Sequence, residues 1–442
     1  MPIERRLLRR GRPGYEEARR AAVWNARTPA RYPDCIAVAE REEDVVAAVA
    51  YARAAALRIG IRSGGHSFSG SHLRDGGMLL DVSRLTDVAI DAASRTAAVG
   101  PGCLGGDLDR LLALHGLSFP VGHCPTVALG GYLLLGGIGW NSRVLGPACQ
   151  SVAAIDVVTA DGELVRADAT RHPDLYWAAR GSGPGFFGAV TRFHLELHPR
   201  SPVVMASATI YPGEALGEVL AWARDIGPQV PRATELSVVV RPDVTGAHGT
   251  AIAVEGVAHA ESEDAARAAL APLDTCPAGD HALSAAPPAL ASTPALAAEL
   301  AASYPAGSRY AVDNMWTSAS GSDLLPGVRR IAHTLPPDPS HLTMMNWGPS
   351  PARPDMAYSL EDDVYIGVYG IWTDSADDAA FARWATDRMR ELEPLASGIQ
   401  LGDENLGLRP ARFASDEAMR RLDEVRSAYD PHGCFHPWLG RL

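Results

Sequence analysis

Lysine is missing from this chain altogether. All 40 basic residues are arginine, set against 52 acidic ones, and the formal net charge is −12. No basic run exists outside the segment Arg5–Arg20, which argues against nucleic acid and anionic membrane as partners. The N-terminal arginines Arg5, Arg6, Arg9, Arg10 and Arg12 are not followed by an apolar stretch, since Ala21-Ala22-Val23 is too short. Neither a secretory signal nor a membrane span of about twenty apolar residues is therefore expected. Cysteine is scarce: Cys35, Cys103, Cys124, Cys149, Cys276 and Cys434 form no CxxC pair. That scatter offers neither a zinc site nor a disulfide framework and fits thiols in a reducing cytoplasm.

What the chain has is glycine, concentrated in two places. The first is Ile61-Arg62-Ser63-Gly64-Gly65-His66-Ser67-Phe68-Ser69-Gly70, behind a short apolar run that reads as a buried strand. Paired glycines let several backbone N–H groups face one point, a nest that binds phosphate without lysine. His66 places a nucleophilic nitrogen in its middle. The second is Gly122–Gly139, in which Cys124-Pro125 is surrounded by six glycines. So many glycines argue against a helix, each costing about 1 kcal/mol relative to alanine. The stretch reads as loop and tight turn, bringing backbone close to a planar or phosphorylated ligand. Gly183-Pro-Gly185-Phe-Phe-Gly188 formally matches GxGxxG, but proline sits at an x position and no clear strand precedes it.

With 442 residues, 47% of them hydrophobic and 21% charged, the chain is globular and long enough for about two or three domains. Residues 1–30 read as a helical arm. Residues 40–57 carry acids in the first turn and apolar positions at helical spacing, so a helix leads into the His66 loop. Strands are predicted at Met78–Val82 and Thr96–Val99, a helix at Gly105–Gly116, and a hairpin from Ala153–Thr159 and Glu163–Ala167. Asp174–Arg180 reads as a short helix and Val190–Leu197 as a strand. From residue 200 onward, strands (203–210, 236–240, 251–257, 342–347, 364–372) alternate with helices (214–225, 262–273, 374–392). Thr275–Pro305 reads as irregular or short helix, and a further helix begins at Asp416. Alternation puts Tyr365 and Tyr369 on one face of a sheet with one covered and one available side.

The order Arg62-Ser63-Gly64-Gly65-His66, Gly122-x-Cys124-Pro125-Thr126-Val127, Gly130-Gly131, Ala178-Ala179-Arg180-Gly181, Gly188-Ala189-Val190-Thr191 and Tyr429-Asp430-Pro431-x-Gly433-x-Phe435 resembles the berberine-bridge-enzyme-like flavin oxidases. These belong to the vanillyl-alcohol-oxidase, or PCMH-type FAD-binding, superfamily. The resemblance spans residues 30–200 and the last thirty or so. It implies an α+β fold: an FAD-binding domain at 1–200, a substrate domain with a mainly antiparallel sheet at 201–400, and a segment 401–442 returning to the FAD domain. It also implies an FAD bonded through its 8α carbon to His66 and through C6 to Cys124. Arg62, Ser63, Gly64, Gly65, Ser67, Gly122, Thr126, Val127, Gly130, Gly131, Gly139 and Val190 would complete the cofactor site, with no metal.

The expected activity is an oxidase that takes hydride from a sugar, alcohol or secondary metabolite and passes the electrons to dioxygen. A small residue three positions after the cysteine accompanies oxygen use in the family, and here it is Val127. The alternatives are a dehydrogenase with another acceptor and a flavin-binding protein without turnover. One feature departs from the family. The Tyr-x-Asn-Tyr segment that supplies a proton-removing tyrosine is replaced by Ile399-Gln400-Leu401-Gly402-Asp403-Glu404-Asn405. The base must come from Glu404 or neighbouring Asp403, or from Tyr365 or Tyr369 on the sheet.

Overall fold

The computed structural model describes Ile3 and residues 6–441. Its architecture is α+β and rests on three large sheets, with a two-stranded pairing of Leu117–Ser118 and His198–Pro199 beside them. The first orders the strands Leu8–Arg9, Cys35–Val38, Met78–Asp81 and Ile59–Arg62, the last three parallel. The second is antiparallel, in the order Val88–Asp91, Thr96–Val99, Ala189–Glu196, Val152–Val158, Leu164–Asp168. The third has seven antiparallel strands, in the order Ser284–Leu290, Val203–Pro212, Thr250–Ala260, Thr234–Pro242, His341–Asn346, Val364–Trp372, Arg309–Thr317.

One core draws on residues between Ile3 and Leu197 and again between Ile399 and Trp438. The chain end rejoins the first sheet, where the Ile59 N–H donates to the Cys434 carbonyl at 2.7 Å and the His436 N–H to that of Ile59 at 3.0 Å. A second core fills the space between the seven-stranded sheet and the helices Leu216–Ile226, Glu263–Leu270, Gly321–Thr334 and Trp384–Leu392. Leu236, Val238 and Val240 face that core, while Glu235, Ser237 and Val239 face the opposite way into a cavity. The period-two pattern of this strand thus fixes which residues a ligand can meet.

Several sequence expectations need correction. The helical arm over residues 1–30 reduces to the helix Tyr15–Ala21 and the strand Leu8–Arg9, and Met1, Pro2, Glu4 and Arg5 lie outside the described residues. The glycine-rich stretch 122–139 does contain a helix, Leu129–Leu134. Gly130 is needed there for close packing, since a Cβ would lie 2.8 Å from the Ser63 Oγ and 2.9 Å from Pro101. Thr275–Pro305 holds a strand, Ser284–Leu290, and a helix, Thr293–Ser303. Pro287 and Pro288 are tolerated because that strand is the sheet edge and the register shifts opposite Ser207. The helix read over 374–392 breaks into Asp378–Phe381 and Trp384–Leu392.

Candidate active site

The two glycine-rich stretches come together on the wall of one cavity of about 430 Å³, within the range of roughly 300–1,000 Å³ typical of ligand pockets. Strand Ile59–Arg62 delivers the first loop, and the Gly122–Val127 turn packs beside it. Gly65 takes φ +74°, and a Cβ there would lie 2.3 Å from the Ala22 carbonyl oxygen, so only glycine fits. A Cβ at Gly64 would lie 2.8 Å from that of Ala128. Gly131 differs: a Cβ there would meet nothing within 4 Å, leaving open space on the cavity wall.

His66 and Cys124 meet at Thr126. Its Oγ1 lies 3.0 Å from His66 Nε2 and 3.3 Å from Cys124 Sγ. The imidazole also stacks on Trp24, with ring centroids 4.7 Å apart. Burial and the nearby Arg62 charge push the His66 pKa down to about 4, so the ring is neutral and keeps a nucleophilic lone pair. Arg62 itself is spent on Asp81, which accepts from Nη1 at 3.0 Å through both oxygens.

The seven-stranded sheet forms the far wall. Tyr365 and Tyr369 share a face and both donate to Asp403 Oδ2, Tyr369 at 2.9 Å. Gly367 lies between them. A Cβ there would sit 2.7 Å and 2.9 Å from the two hydroxyl oxygens. Burial pushes the Asp403 pKa up while the two tyrosine donors pull it down, and burial dominates. Both tyrosines are raised well above their ordinary value by burial and by the Asp403 charge, and both stand as hydrogen-bond donors to that carboxylate. Asp403 is held by a residue the periodicity did not reveal. Asn314 donates from Nδ2 to the carbonyls of Gln400 at 3.0 Å and Asp403 at 2.8 Å, and accepts from the Gln400 N–H at 2.8 Å. Next to it, buried Asp313 accepts from Arg409 Nε at 3.0 Å. Burying polar side chains in the strand Arg309–Thr317 hides its hydrophobic pattern, so the sequence did not signal this strand.

Glu404 lines the same cavity, and each of its oxygens accepts a hydrogen bond. Oε1 accepts from Ser69 Oγ at 2.6 Å and Oε2 from the Leu406 N–H at 2.8 Å. It therefore ties the His66 loop to the C-terminal segment. His123 gains a carboxylate partner that sequence spacing could not offer. Its Nε2 lies 3.0 Å and 3.1 Å from the Glu235 oxygens, and its ring packs edge-on against Trp140. Of the residues expected around the cofactor, Arg62, Ser63, Gly64, Gly65, His66, Ser67, Gly122, Cys124, Val127, Gly130, Gly131 and Val190 line the cavity. Thr126 and Gly139 do not; Gly139 is bridged to Gly122 behind it.

Residues 33–168 match a family described as an FAD binding domain. The FAD-linked oxidoreductase nodO of Hypoxylon pulicicidum is 33% identical over 436 residues, covering 94% of this chain and 93% of its own. This chain belongs to the FAD-linked oxidoreductases. Its fold is that of the PCMH-type flavoproteins. Its fold superposes on 6-hydroxy-D-nicotine oxidase from Arthrobacter nicotinovorans with a TM-score of 0.85 at 24% identity, covering 97% of this chain and 96% of that one. Physcomitrella patens BBE-like 1 gives 0.83 at 19%, covering 98% and 96%. Phl p 4.0202, a glucose dehydrogenase, gives 0.80 at 20%, with the same coverage. An isoleucine-to-valine variant of Phl p 4, a glucose oxidase, has the same fold.

The residues present fit FAD. The open wall at Gly131, beside the Gly64-Gly65 turn on the same cavity, provides a close backbone approach. Arg62 Nε, His72 Nε2 and His436 Nε2, all on residues lining the cavity, are buried without a hydrogen-bond partner. Such atoms call for a polar ligand. Among the described residues no helix of this FAD-linked oxidoreductase is long and apolar enough to cross a membrane.

Proposed function

We propose that this FAD-linked oxidoreductase holds its flavin covalently at His66 and Cys124 and oxidises a sugar, alcohol or secondary metabolite, with Asp403 as base and dioxygen as acceptor. The observation that carries this reading is Asp403. It is a half-buried carboxylate with a raised pKa, facing the cavity that His66 and Cys124 also line. When bound, the flavin supplies the two-electron acceptor for the substrate C–H bond. The Asp403 carboxylate takes the substrate O–H or N–H proton, at Oδ1 since Oδ2 accepts from both tyrosines, and a raised pKa suits it to that transfer. Tyr365 and Tyr369 hold the carboxylate by hydrogen bonds, and the sheet face keeps solvent from it. Glu404 is assigned to loop anchoring, since Oε1 holds Ser69 of the His66 loop and Oε2 the Leu406 N–H.

Val127 supports the oxidase reading. It lines the cavity three residues from Cys124 and is small. Phl p 4 is a glucose dehydrogenase as wild type and a glucose oxidase as an isoleucine-to-valine variant, so one branched side chain separates the two activities in that protein. The division of labour follows the two cores: FAD binding by residues 1–200, substrate binding by 201–400, and a segment 401–442 that returns to the first and brings Asp403 with it.

The test is acid precipitation of the purified protein, followed by mass spectrometry of its tryptic peptides and oxygen uptake with a substrate panel. Flavin mass on the peptides containing His66 and Cys124, with peroxide formed on turnover, is expected. Colour left in the acid supernatant would overturn the covalent assignment. Turnover with dyes but not with oxygen would overturn the oxidase assignment.

A further inference from the structure

Thr126 touches both residues assigned to flavin attachment and stays off the cavity wall. Resting on the covalent reading above, we propose that Thr126 is a positioning residue that couples the two attachments: it fixes the His66 tautomer and carries away the protons that both sites must lose.

A hydroxyl has one hydrogen to give and two lone pairs to receive with. With His66 neutral, two arrangements satisfy the chain of contacts. In one, the Cys124 thiol donates to Thr126 and Thr126 donates to His66 Nε2. The imidazole hydrogen then sits on Nδ1, and neither Nδ1 nor the sulfur is nucleophilic. In the other, Nε2–H donates to Thr126 Oγ1 and Thr126 donates to Sγ. That leaves a lone pair on Nδ1 and, once the thiol proton has passed by way of Thr126 Oγ1 to solvent, a thiolate that accepts a hydrogen bond. Only the second makes both groups ready to bond carbon. Nδ1 takes no hydrogen bond among the described residues, and the Trp24 stack fixes the ring plane.

The turn that presents Thr126 is independently anchored. The Gly106 N–H donates to the Pro125 carbonyl at 2.9 Å, and the Val127 N–H to that of Cys124 at 3.3 Å. Thr126 itself is exposed, so it links the two sites to solvent.

Each attachment replaces one flavin C–H and one protein N–H or S–H by a single bond. The two electrons stay on the flavin, which takes up two protons from solvent and is left reduced. Dioxygen then removes both electrons and both protons as hydrogen peroxide. At His66 the new bond forms to Nδ1 and the proton lost is the one on Nε2. At Cys124 the proton lost is that of the thiol. In both cases Thr126 Oγ1 is the first oxygen in line to receive it.

The experiment compares the linked peptides of wild type, Thr126→Val and Thr126→Ser by mass spectrometry, with wild-type peptide NMR to identify the bonded imidazole nitrogen. Wild type should carry flavin on both residues, with the His66 bond at Nδ1. The valine variant should lose most of its doubly linked population to singly linked and free flavin, and the serine variant should keep it. A valine variant as fully linked as wild type would sink the proposal while leaving the covalent reading intact. A wild-type bond at Nε2 would also sink it, whether or not the valine variant folds. A wild type with no linked peptide would remove the covalent reading first and this proposal with it.

Discussion

The Tyr369 hydroxyl donates to Asp403 Oδ2 across 2.9 Å, joining the strand Val364–Trp372 to the turn Leu401–Asp403. If that carboxylate is the base, Asp403→Asn should slow flavin reduction by about 10²–10⁴-fold while flavin content stays at the wild-type level. Anaerobic stopped-flow absorbance reads both. Unchanged reduction would reassign the base.

The pH profile carries a sign. A base must be ionised, so the reduction rate should rise with pH through the raised Asp403 pKa. The tyrosine donors favour the ionised form, so losing one raises that pKa further. Tyr369→Phe should therefore move the ascending limb to higher pH, and Tyr365→Phe should do the same. A limb that moves to lower pH, or stays put, would mean that the hydroxyls do not act through the carboxylate.

Gly367 has the backbone of ordinary strand but no room for a methyl group, since a Cβ would sit 2.7 Å from the Tyr365 oxygen. Gly367→Ala should push the two hydroxyls off Asp403 and cost activity comparable to losing both, with the melting temperature little altered. A fully active, well-folded alanine variant would show that the convergence of the tyrosines is not required.

His123 and Glu235 tie the Cys124 turn to the seven-stranded sheet. Burial works against the charged imidazole, but the Glu235 carboxylate outweighs it and the His123 pKa is raised. A raised folded value means that stabilisation is complete below the unfolded pKa of about 6.5 and fades as pH climbs through the folded one. Glu235→Gln should thus lower stability by roughly 1–3 kcal/mol at pH 6 and by less above pH 9. Denaturation at the two pH values decides it; equal losses at both would rule the ion pair out as the cause.

Val127→Ile should slow reoxidation of the reduced enzyme by oxygen by about tenfold or more, equivalent to about 1.4 kcal/mol in barrier, while reduction by substrate is unaffected. Mixing reduced enzyme with aerated buffer measures the first rate directly. An isoleucine variant that reoxidises like wild type would remove Val127 from acceptor control.

The chain itself determined the parts that depend on local chemistry. Adjacent glycines at 64 and 65 announced a tight backbone turn, and Gly65 takes φ +74° with no room for a side chain. Alternation along 364–372 put Tyr365 and Tyr369 on one face, because side-chain direction in a strand has a period of two whatever surrounds it. Tertiary structure alone decided which groups meet. Asp403 reaches the two tyrosines because Asn314, on a strand whose buried polar residues mask its pattern, holds the turn in place. His123 meets Glu235, and Cys124 and His66 meet at Thr126, across 112 and 60 residues of chain. Contacts of that kind are set by how whole sheets pack. The electrostatics follow from them: burial leaves His66 neutral and keeps Asp403 reluctant to ionise. A sequence lists the ionisable groups, but the desolvation that sets their chemistry exists only once the cavity has closed around them.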